Sequence, residues 1–263
     1  MEARKTLDFM ISYFKANLQS AMEYRANFLM QSFGMLINDA IILVFWYIIF
    51  NQFNTINGWS FDDLLLLYGL TALVIGLERF FMGNAERIAE IIAKGGLDFY
   101  LTLPKSVLLH ILVSRSDYSG FGDVMFGLGV GILVLHANPA SVALFLLLTA
   151  VSFALIVGLA IVSGSLAFFI NGTGDLQDTI INIIIMFSTY PFSVFSGWTR
   201  LLLLTIFPIG FIAGIPVEIL HTHSPLLIAE LFIASSAFLL IGIKLFYVGL
   251  KRYESGNLIV ARI

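Results

Sequence analysis

Apolar residues run along this chain in long blocks that are separated by short polar stretches. The four longest blocks lie at 28–50, 61–82, 141–170 and 226–250. A helix needs roughly 20 residues to cross ~30 Å of hydrocarbon, so each of these blocks is long enough to span a membrane. The pattern therefore predicts at least four membrane-spanning helices.

Three further apolar blocks are shorter or interrupted. The block at 119–135 is short, and we expect it to gain length by extending upstream, while the block at 179–194 is marginal. The block at 201–220 contains Pro208 and Pro216, and an interior proline breaks the helical hydrogen-bond ladder. We therefore expect 201–220 to form two short pieces that enter and leave the same face of the membrane, as a re-entrant outer segment.

Residues 4–22 repeat apolar side chains at helical spacing. The stripe consists of Leu7, Met10, Ile11, Phe14 and Leu18. An amphipathic helix of this kind can lie in the membrane interface, and the first long apolar block follows at once. We expect residues 1–25 to form an interfacial helix; the alternative is an ordinary amphipathic helix in water.

The positions of Lys and Arg decide how many blocks cross. Basic residues collect on the cytoplasmic side of a membrane protein. Six crossings with 201–220 re-entrant place every Lys and Arg except Arg200 on one side, whereas seven crossings would strand the basic C-terminal residues outside. The sequence thus predicts an all-α, polytopic bundle of six transmembrane helices, a single domain over 1–263 with both termini cytoplasmic.

Composition supports a membrane protein and excludes several functions. Apolar residues make up 59% of the chain and charged residues 12%, about half of what a soluble domain carries. The mean hydropathy is +0.95, and the absence of cysteine excludes disulfides and thiolate metal sites. His221 and His223 lie two residues apart, but we predict no metal site.

Enzymatic motifs are also missing from the sequence. It contains no G-x-x-x-x-G-K-[ST] loop, so we do not expect this chain to hydrolyse ATP. The nearest glycine cluster, Gly172-Thr173-Gly174-Asp175, reads as a short loop between helices. No recognisable catalytic pair supports an intramembrane protease.

The longest polar segment, 83–105, is the most informative one. Asn84 is a suitable N-cap, Gly95 a suitable C-terminal stop, and Glu90 and Lys94 can pair one turn apart. We expect a helix of about ten residues on the cytoplasmic face. It could be a simple connector on lipid headgroups or a docking element for a cytoplasmic partner.

Three further motifs stand out along the chain. The first is Gly96-Leu97-Asp98-Phe99-Tyr100-Leu101-Thr102-Leu103-Pro104, and the second is Tyr190-Pro191-Phe192-Ser193-Val194-Phe195-Ser196-Gly197-Trp198. The third is Pro208–Pro216, in which we single out Pro208, Gly210, Gly214 and Pro216. Together they resemble a subgroup of ABC type-2 permeases, the exporter-like membrane subunits of ABC transporters: the first resembles its G-x-L-D-x-x-L-x-x-P signature, the second its motif at the outer end of the fifth span, and the third its re-entrant segment.

The resemblance implies a permease that works with other chains. A cytoplasmic ABC ATPase dimer would carry the ATP and Mg, with no cofactor on this chain and no nucleic-acid partner. A second permease chain, identical or paralogous, would complete the path in a bacterial plasma (inner) membrane. The segment 83–105 would be the coupling helix that seats on the ATPase. Its contact residues would be Glu86, Arg87, Ile88, Glu90, Ile91, Lys94, Gly96, Leu97, Asp98, Tyr100, Leu101 and Pro104.

Asn38 and Asp39 lie at the centre of the first predicted span. A carboxylate at that depth costs about 2.5–3.5 kcal/mol on insertion scales, so it normally faces the bundle interior and finds a partner. Asn182 in the fifth predicted span is a candidate partner. Asp39 could make a structural hydrogen bond, or it could line the translocation path and contact a cationic or polar substrate group.

Two other function classes remain open. A secondary transporter or channel would be expected to place several ionisable groups at the midplane, where this sequence shows clearly only Asp39. A purely structural membrane scaffold is the third alternative. The sequence itself names neither the substrate nor the direction of transport; the resemblance favours export.

Overall fold

Prolines stand at helix starts or helix breaks in this chain, and the long blocks between them form continuous helices. The structure, a computed structural model, describes residues 2–53, 55–170 and 174–254, and these residues are all-α with one isolated bridge, as predicted. The helices are α1 (Glu2–Glu23), α2 (Arg25–Gln52), α3 (Phe61–Met82), α4 (Ile88–Ala93), α5 (Leu97–Leu101), α6 (Val107–Val113), α7 (Ser119–Val134), α8 (Pro139–Ser165), α9 (Gly174–Ser188), α10 (Gly197–Thr205), α11 (Gly214–Thr222) and α12 (Pro225–Leu250). Four single 3₁₀ turns, Ala85–Arg87, Leu166–Phe168, Phe192–Val194 and Ile209–Phe211, join them.

Four helices in the described part of the chain are long and apolar enough to cross a membrane. They are Arg25–Gln52, Phe61–Met82, Pro139–Phe168 and Pro225–Leu250, which confirms the four long blocks as candidate spans. Pro139 and Pro225 occupy the first turn of their helices, where the missing N–H has no intrahelical partner to lose.

The remaining two predicted spans form shorter helices. α7 has 16 residues and α9 has 15. The expected upstream extension of α7 is wrong, because the Asp117 carboxylate accepts hydrogen bonds from the Ser119 N–H (3.0 Å) and hydroxyl (2.8 Å). This local turn starts the helix at Ser119 and leaves α6 as a separate element.

α3 and α8 form the centre of the bundle, with α2 and α12 outside them. In the most apolar 18 residues of α3, 78% are buried, whereas the corresponding figure for α2 is 11%. Glycines allow close helix contact at this centre: a side chain at Gly127 would collide with α3, and one at Gly158 with α12. α2 is attached mainly through α7 and keeps most of its surface uncovered by the described residues.

α1 is a separate helix that packs back on the segment before α7. The Tyr13 hydroxyl lies 3.0 Å from His110 Nδ1 of α6, and burial lowers the pKa of His110. Leu7 and Ile11 remain exposed on the opposite side of α1. An exposed apolar stripe fits the interfacial helix predicted for residues 1–25, which stays a prediction.

The 201–220 block forms two short helices, as expected. α10 and α11 have nine residues each, about 14 Å at ~1.5 Å per residue, too short to cross. Pro208 lies in the break between them. The expected interruption at Pro216 is wrong, because Pro216 is the third residue of α11 and the first turn needs no backbone donor there.

Candidate functional site

The polar segment after α3 begins with a 3₁₀ turn rather than with a capped α-helix. Ala85–Arg87 form this turn, and α4 follows at Ile88. Asn84 occupies the N-cap position of this turn, as predicted, but its side chain makes no capping hydrogen bond; the amide donates instead to the hydroxyl of Ser114, 2.8 Å away. The bond ties the start of the segment to the C-terminal end of α6.

Gly95 ends α4, which confirms its predicted role. Its φ of +72° is in the left-handed region that favours glycine. The Gly95 N–H donates to the Ile92 carbonyl (3.1 Å), and the Gly96 N–H donates to the Ile91 carbonyl (2.8 Å). These two bonds satisfy the last carbonyls of α4 and turn the chain sharply into α5.

Gln177 of α9 fixes α4 in place, a contact that sequence reasoning missed. Its side-chain oxygen accepts from the Ala89 N–H (2.7 Å), and its nitrogen donates to the carbonyls of Ala85 (2.8 Å) and Ala160 (3.1 Å). The Ala89 N–H belongs to the first turn of α4, so Gln177 caps this helix from another part of the chain. The available signal was a polar residue on the helix face of Ile181 and Ile184.

Several predicted ATPase contacts lie inside the protein. Ile88 and Leu97 are both fully buried, and Ile88 packs directly against Gly164 of α8. Their predicted roles as contact residues are therefore corrected, because their side chains do not reach the surface of this chain. Ile91 is partly buried beside Gly96.

Several charged residues of the segment form ion pairs. Arg79 contacts Glu86 at 3.2 Å, and Glu90 contacts both Arg87 (2.7 Å) and Lys94 (2.6 Å). The Glu90–Lys94 pair was predicted from its spacing. Hydrogen bonds from Lys94 and then Arg87 hold the pKa of Glu90 below its ordinary value.

An exposed surface remains on α5 and the turn after it. We call Asp98, Phe99, Leu101 and Pro104 the docking surface; the Phe99 side chain is 65% exposed and that of Leu101 is 47% exposed. Tyr100 faces inward instead, with its hydroxyl 3.0 Å from the Ser114 hydroxyl. The sequence prediction did not include Phe99 among the contact residues.

The predicted trio in the spans is not brought together. Asp39 is buried and accepts a hydrogen bond from the Tyr68 hydroxyl at 3.3 Å. Asn38 is exposed with its side chain near Asp39, whereas Asn182 is exposed on α9. The proposed Asp39–Asn182 pairing is therefore wrong, because only Asp39 points into the bundle.

Asp123 of α7, which the prediction missed, lies opposite Asp39. The two carboxyls are within hydrogen-bonding reach of each other, and each residue is only 2% exposed. With Tyr68 and Arg79 they line a cavity of about 60 Å³ between α2, α3, α7 and α9. The signal was an aspartate inside an apolar block, which is rare and commonly functional.

Glu78 of α3 is a further buried acid. Its side chain is fully buried, and neither carboxyl oxygen has a hydrogen-bond partner among the described residues. Arg79, the next residue in α3, pairs with Glu86 instead. Glu78 thus lies between the polar segment and the interior of the bundle, near Arg79 and Glu86, without a direct ion pair among the described residues.

The 201–220 block contacts the start of α3. His221 of α11 lies 2.7 Å from Asp63, whose other carboxyl oxygen accepts from the Ser60 N–H and caps α3. Gly210 and Gly214 pack against the ring of Phe192, where a side chain would be crowded. These contacts place α11 beside the turn at 58–60, just before α3.

Residues 2–53, 55–170 and 174–254 contain no group of three or more His, Cys, Asp or Glu side chains that could hold a metal ion. Gly172 and Thr173 of the Gly172-Thr173-Gly174-Asp175 cluster lie outside the described residues.

The sequence was compared with known protein families. Residues 36–256 match the family described as ABC-2 family transporter protein. Comparison with curated proteins and with solved structures gave no match. Membrane proteins of this family are permease components of ABC transporters, are not themselves catalytic, and work with an ABC ATPase. Because the match extends over most of its length, this multi-pass membrane chain belongs to the ABC-2 transporter family.

Proposed function

We propose that this chain is the permease subunit of an ABC exporter, and that it binds its ATPase through α4, α5 and the docking surface. ATP binding would draw the two ATPase chains together and move the coupling segments with them. The bundle would then exchange inward- and outward-open states, because the ATPase has different affinities for the two.

The docking surface is the observation that carries this proposal. Phe99 and Leu101 expose apolar area at a sharp turn, and Asp98 adds a charge beside them. An aromatic anchor with a polar rim is typical of a protein interface. The segment beneath it is held by Gln177 and Ser114, so a force applied there reaches α8 and α9.

Contacts within the chain support the six-crossing topology. Gln177, near the start of α9, binds the polar segment, whereas Tyr190, just after its end, contacts Trp46 near the end of α2. α9 therefore runs between the same two layers as α2 and α3. The contact of His221 with Asp63 puts α11 at the layer opposite the polar segment, which fits a re-entrant path.

Single cysteines test this topology, since the chain has none of its own. We expect a cysteine at Lys94 to react only from the cytoplasm and one at Gly58 only from outside. A cysteine at Thr222 should react from the same side as Gly58. Labelling of Thr222 and Lys94 from one side would rule out the six-crossing arrangement. The C-terminal residues from Ser255 onward lie outside the described residues, and their cytoplasmic location stays a prediction.

Polar faces on α2 and α9 support a second permease chain, identical or paralogous. Asn27, Gln31 and Asn38 recur at helical spacing on the exposed side of α2. Asn182 is similarly exposed on α9. Polar side chains are costly in lipid, so we expect these faces to meet the second chain or line the path.

The docking surface can be tested with a matched pair of variants. Phe99→Ala should remove most of the ATP hydrolysis that purifies with the tagged chain from its native membranes, because it deletes the most exposed apolar group of that surface. Phe53→Ala is the control, because Phe53 is similarly exposed (61%) but lies just after the C-terminal end of α2, away from α5. Equal ATPase recovery with both variants would show that α5 is not the docking element.

The structure gives one observation in favour of a secondary transporter. Asp123 and Glu78 join Asp39 as buried acids, so the interior holds more ionisable groups than the sequence suggested. Under that alternative, transport would continue without ATP and would follow an ion gradient. Family membership and the docking surface favour the ABC permease, and transport that ceases on ATP depletion is the expected result.

A further inference from the structure

The Asp39–Asp123 pair has acceptor oxygens in excess of donors. Asp39 Oδ1 accepts from Tyr68, but Asp39 Oδ2 and Asp123 Oδ1 have no hydrogen-bond partner within the described part of the chain. Both residues are only 2% exposed. A buried acceptor without a donor costs about 1–3 kcal/mol, more when it is charged. A donor placed between the two carboxyls would satisfy both oxygens.

The positive charge near the two carboxyls is shared with a third acid. Arg79 of α3 lines the same cavity, but its Nε donates to Glu86 at 3.2 Å and 3.3 Å. From α3 Tyr68 also faces the pair, and Asp117, before α7, adds another negative charge near Asp123. α9 contributes Ile185 and Thr189 to the lining. Two like charges in one buried site repel strongly, so one of them is expected to bind a proton.

Close helix packing surrounds the two carboxyls. Gly122 leaves no space for a side chain against Ser32 and Met35 of α2, and Gly76 of α3 is equally tight against Asp123. α2, α3 and α7 therefore meet at backbone distance on both sides of the pair. The cavity of about 60 Å³ has room for a water molecule but not for a large solute.

We propose that Asp39 and Asp123 form a binding site for a single proton, held between their carboxyls, which keeps α2 packed on α7. The ligand class is the proton itself, donated from water through the cavity, with no bond other than O–H made or broken. Loss of this proton at alkaline pH would leave two adjacent carboxylates and weaken the α2–α7 contact. The proposal goes beyond the proposed function and does not depend on an ATPase.

Infrared spectroscopy of the full chain in lipid nanodiscs tests the proposal directly. An isotope label in the aspartate carboxyl carbons separates the pair from the buried acid Glu78. At neutral pH we expect a label-shifted band of a protonated carboxyl that disappears as the pH is raised. Asp39→Asn and Asp123→Asn should each remove this band, because an Asn–Asp pair supplies its own donor and needs no proton.

Asp62→Asn is the matched control, since Asp62 is exposed at the start of α3. It should leave the band unchanged. The absence of a label-shifted band in the wild type would overturn the proposal, and so would its disappearance on adding sodium, which would indicate a metal cation between the carboxylates. If neither Asn variant folds, the pH titration of the labelled wild type still decides.

Discussion

Charged side chains behave differently in the polar segment and in the interior of the bundle. In the segment, Glu90 contacts Arg87 and Lys94 at 2.7 Å and 2.6 Å while remaining partly exposed to water. In the interior, Asp39, Asp123 and Glu78 are almost completely buried, and each keeps at least one carboxyl oxygen without a hydrogen-bond partner in the described residues. The accessible acid forms two direct ion pairs, whereas the buried acids lie near Arg79, whose direct ion pair is with Glu86.

This contrast separates local structure from candidate function. Exposed ion pairs contribute about 0–1 kcal/mol each and mainly set local geometry. Buried acids without partners cost free energy, and inside a membrane they commonly mark ion or substrate pathways. We therefore expect substitutions in the interior to change stability strongly, and substitutions of the exposed pairs to change it little.

The largest effect is expected where the two regions join. Gln177→Leu keeps the side-chain volume but deletes the hydrogen bonds to Ala85, Ala89 and Ala160. Leaving these buried groups unpaired should lower the free energy of unfolding by about 3 kcal/mol. The thermal midpoint in detergent should fall, and ATPase association should fall with it although the docking surface is intact.

Gln31→Leu is the control for that experiment. Gln31 is exposed on α2, and its amide donates to Asn27 one turn away, at 3.2 Å. This variant should unfold near the wild-type temperature. Equal midpoints for Gln177→Leu and Gln31→Leu would show that α4 is not held by α9.

Smaller changes in stability are expected for Glu78, in α3, and Glu86, just after it. The two changes should have opposite signs. Glu78→Met removes two oxygens that have no hydrogen-bond partner in the described residues, so it should raise the free energy of unfolding by about 1–2 kcal/mol. Glu86→Met removes the partner of Arg79 and should lower stability instead. The thermal midpoints of the two variants should therefore move in opposite directions. A fall for Glu78→Met would mean that Glu78 has a partner that stabilises its charge.

Sequence length and composition predicted the parts of the fold that local physics determines. The four long candidate spans follow from the length of the apolar blocks. The end of α4 at Gly95 was also predicted, because glycine readily adopts the left-handed backbone that this position has. Pro216 was misjudged, because the effect of a proline depends on its position within the helix. Burial of Ile88 against Gly164 could not be predicted, since it requires knowing which helices meet.

The polar contacts depended even more on tertiary packing. Asp39 was identified from its depth in the first span, but its actual neighbours come from α3 and α7 rather than from Asn182. Gln177 caps a helix 88 residues away in sequence. No local pattern specifies such a pairing, because both partners are ordinary polar residues until the helices are placed together.

The smallest effect concerns Glu90 and its dependence on pH. Hydrogen bonds from Lys94 and then Arg87 lower the pKa of Glu90 below its ordinary value of about 4.3. Folding therefore favours the ionised form, so the stabilisation is present at neutral pH and is lost as pH falls through the folded-state pKa. Because the pairs are exposed, Glu90→Gln should cost only about 0.2–1 kcal/mol at neutral pH and low salt. The difference in thermal midpoint between this variant and the wild type should shrink in acid or high salt. A difference that is the same under all three conditions would mean that Glu90 acts through packing rather than through its charge.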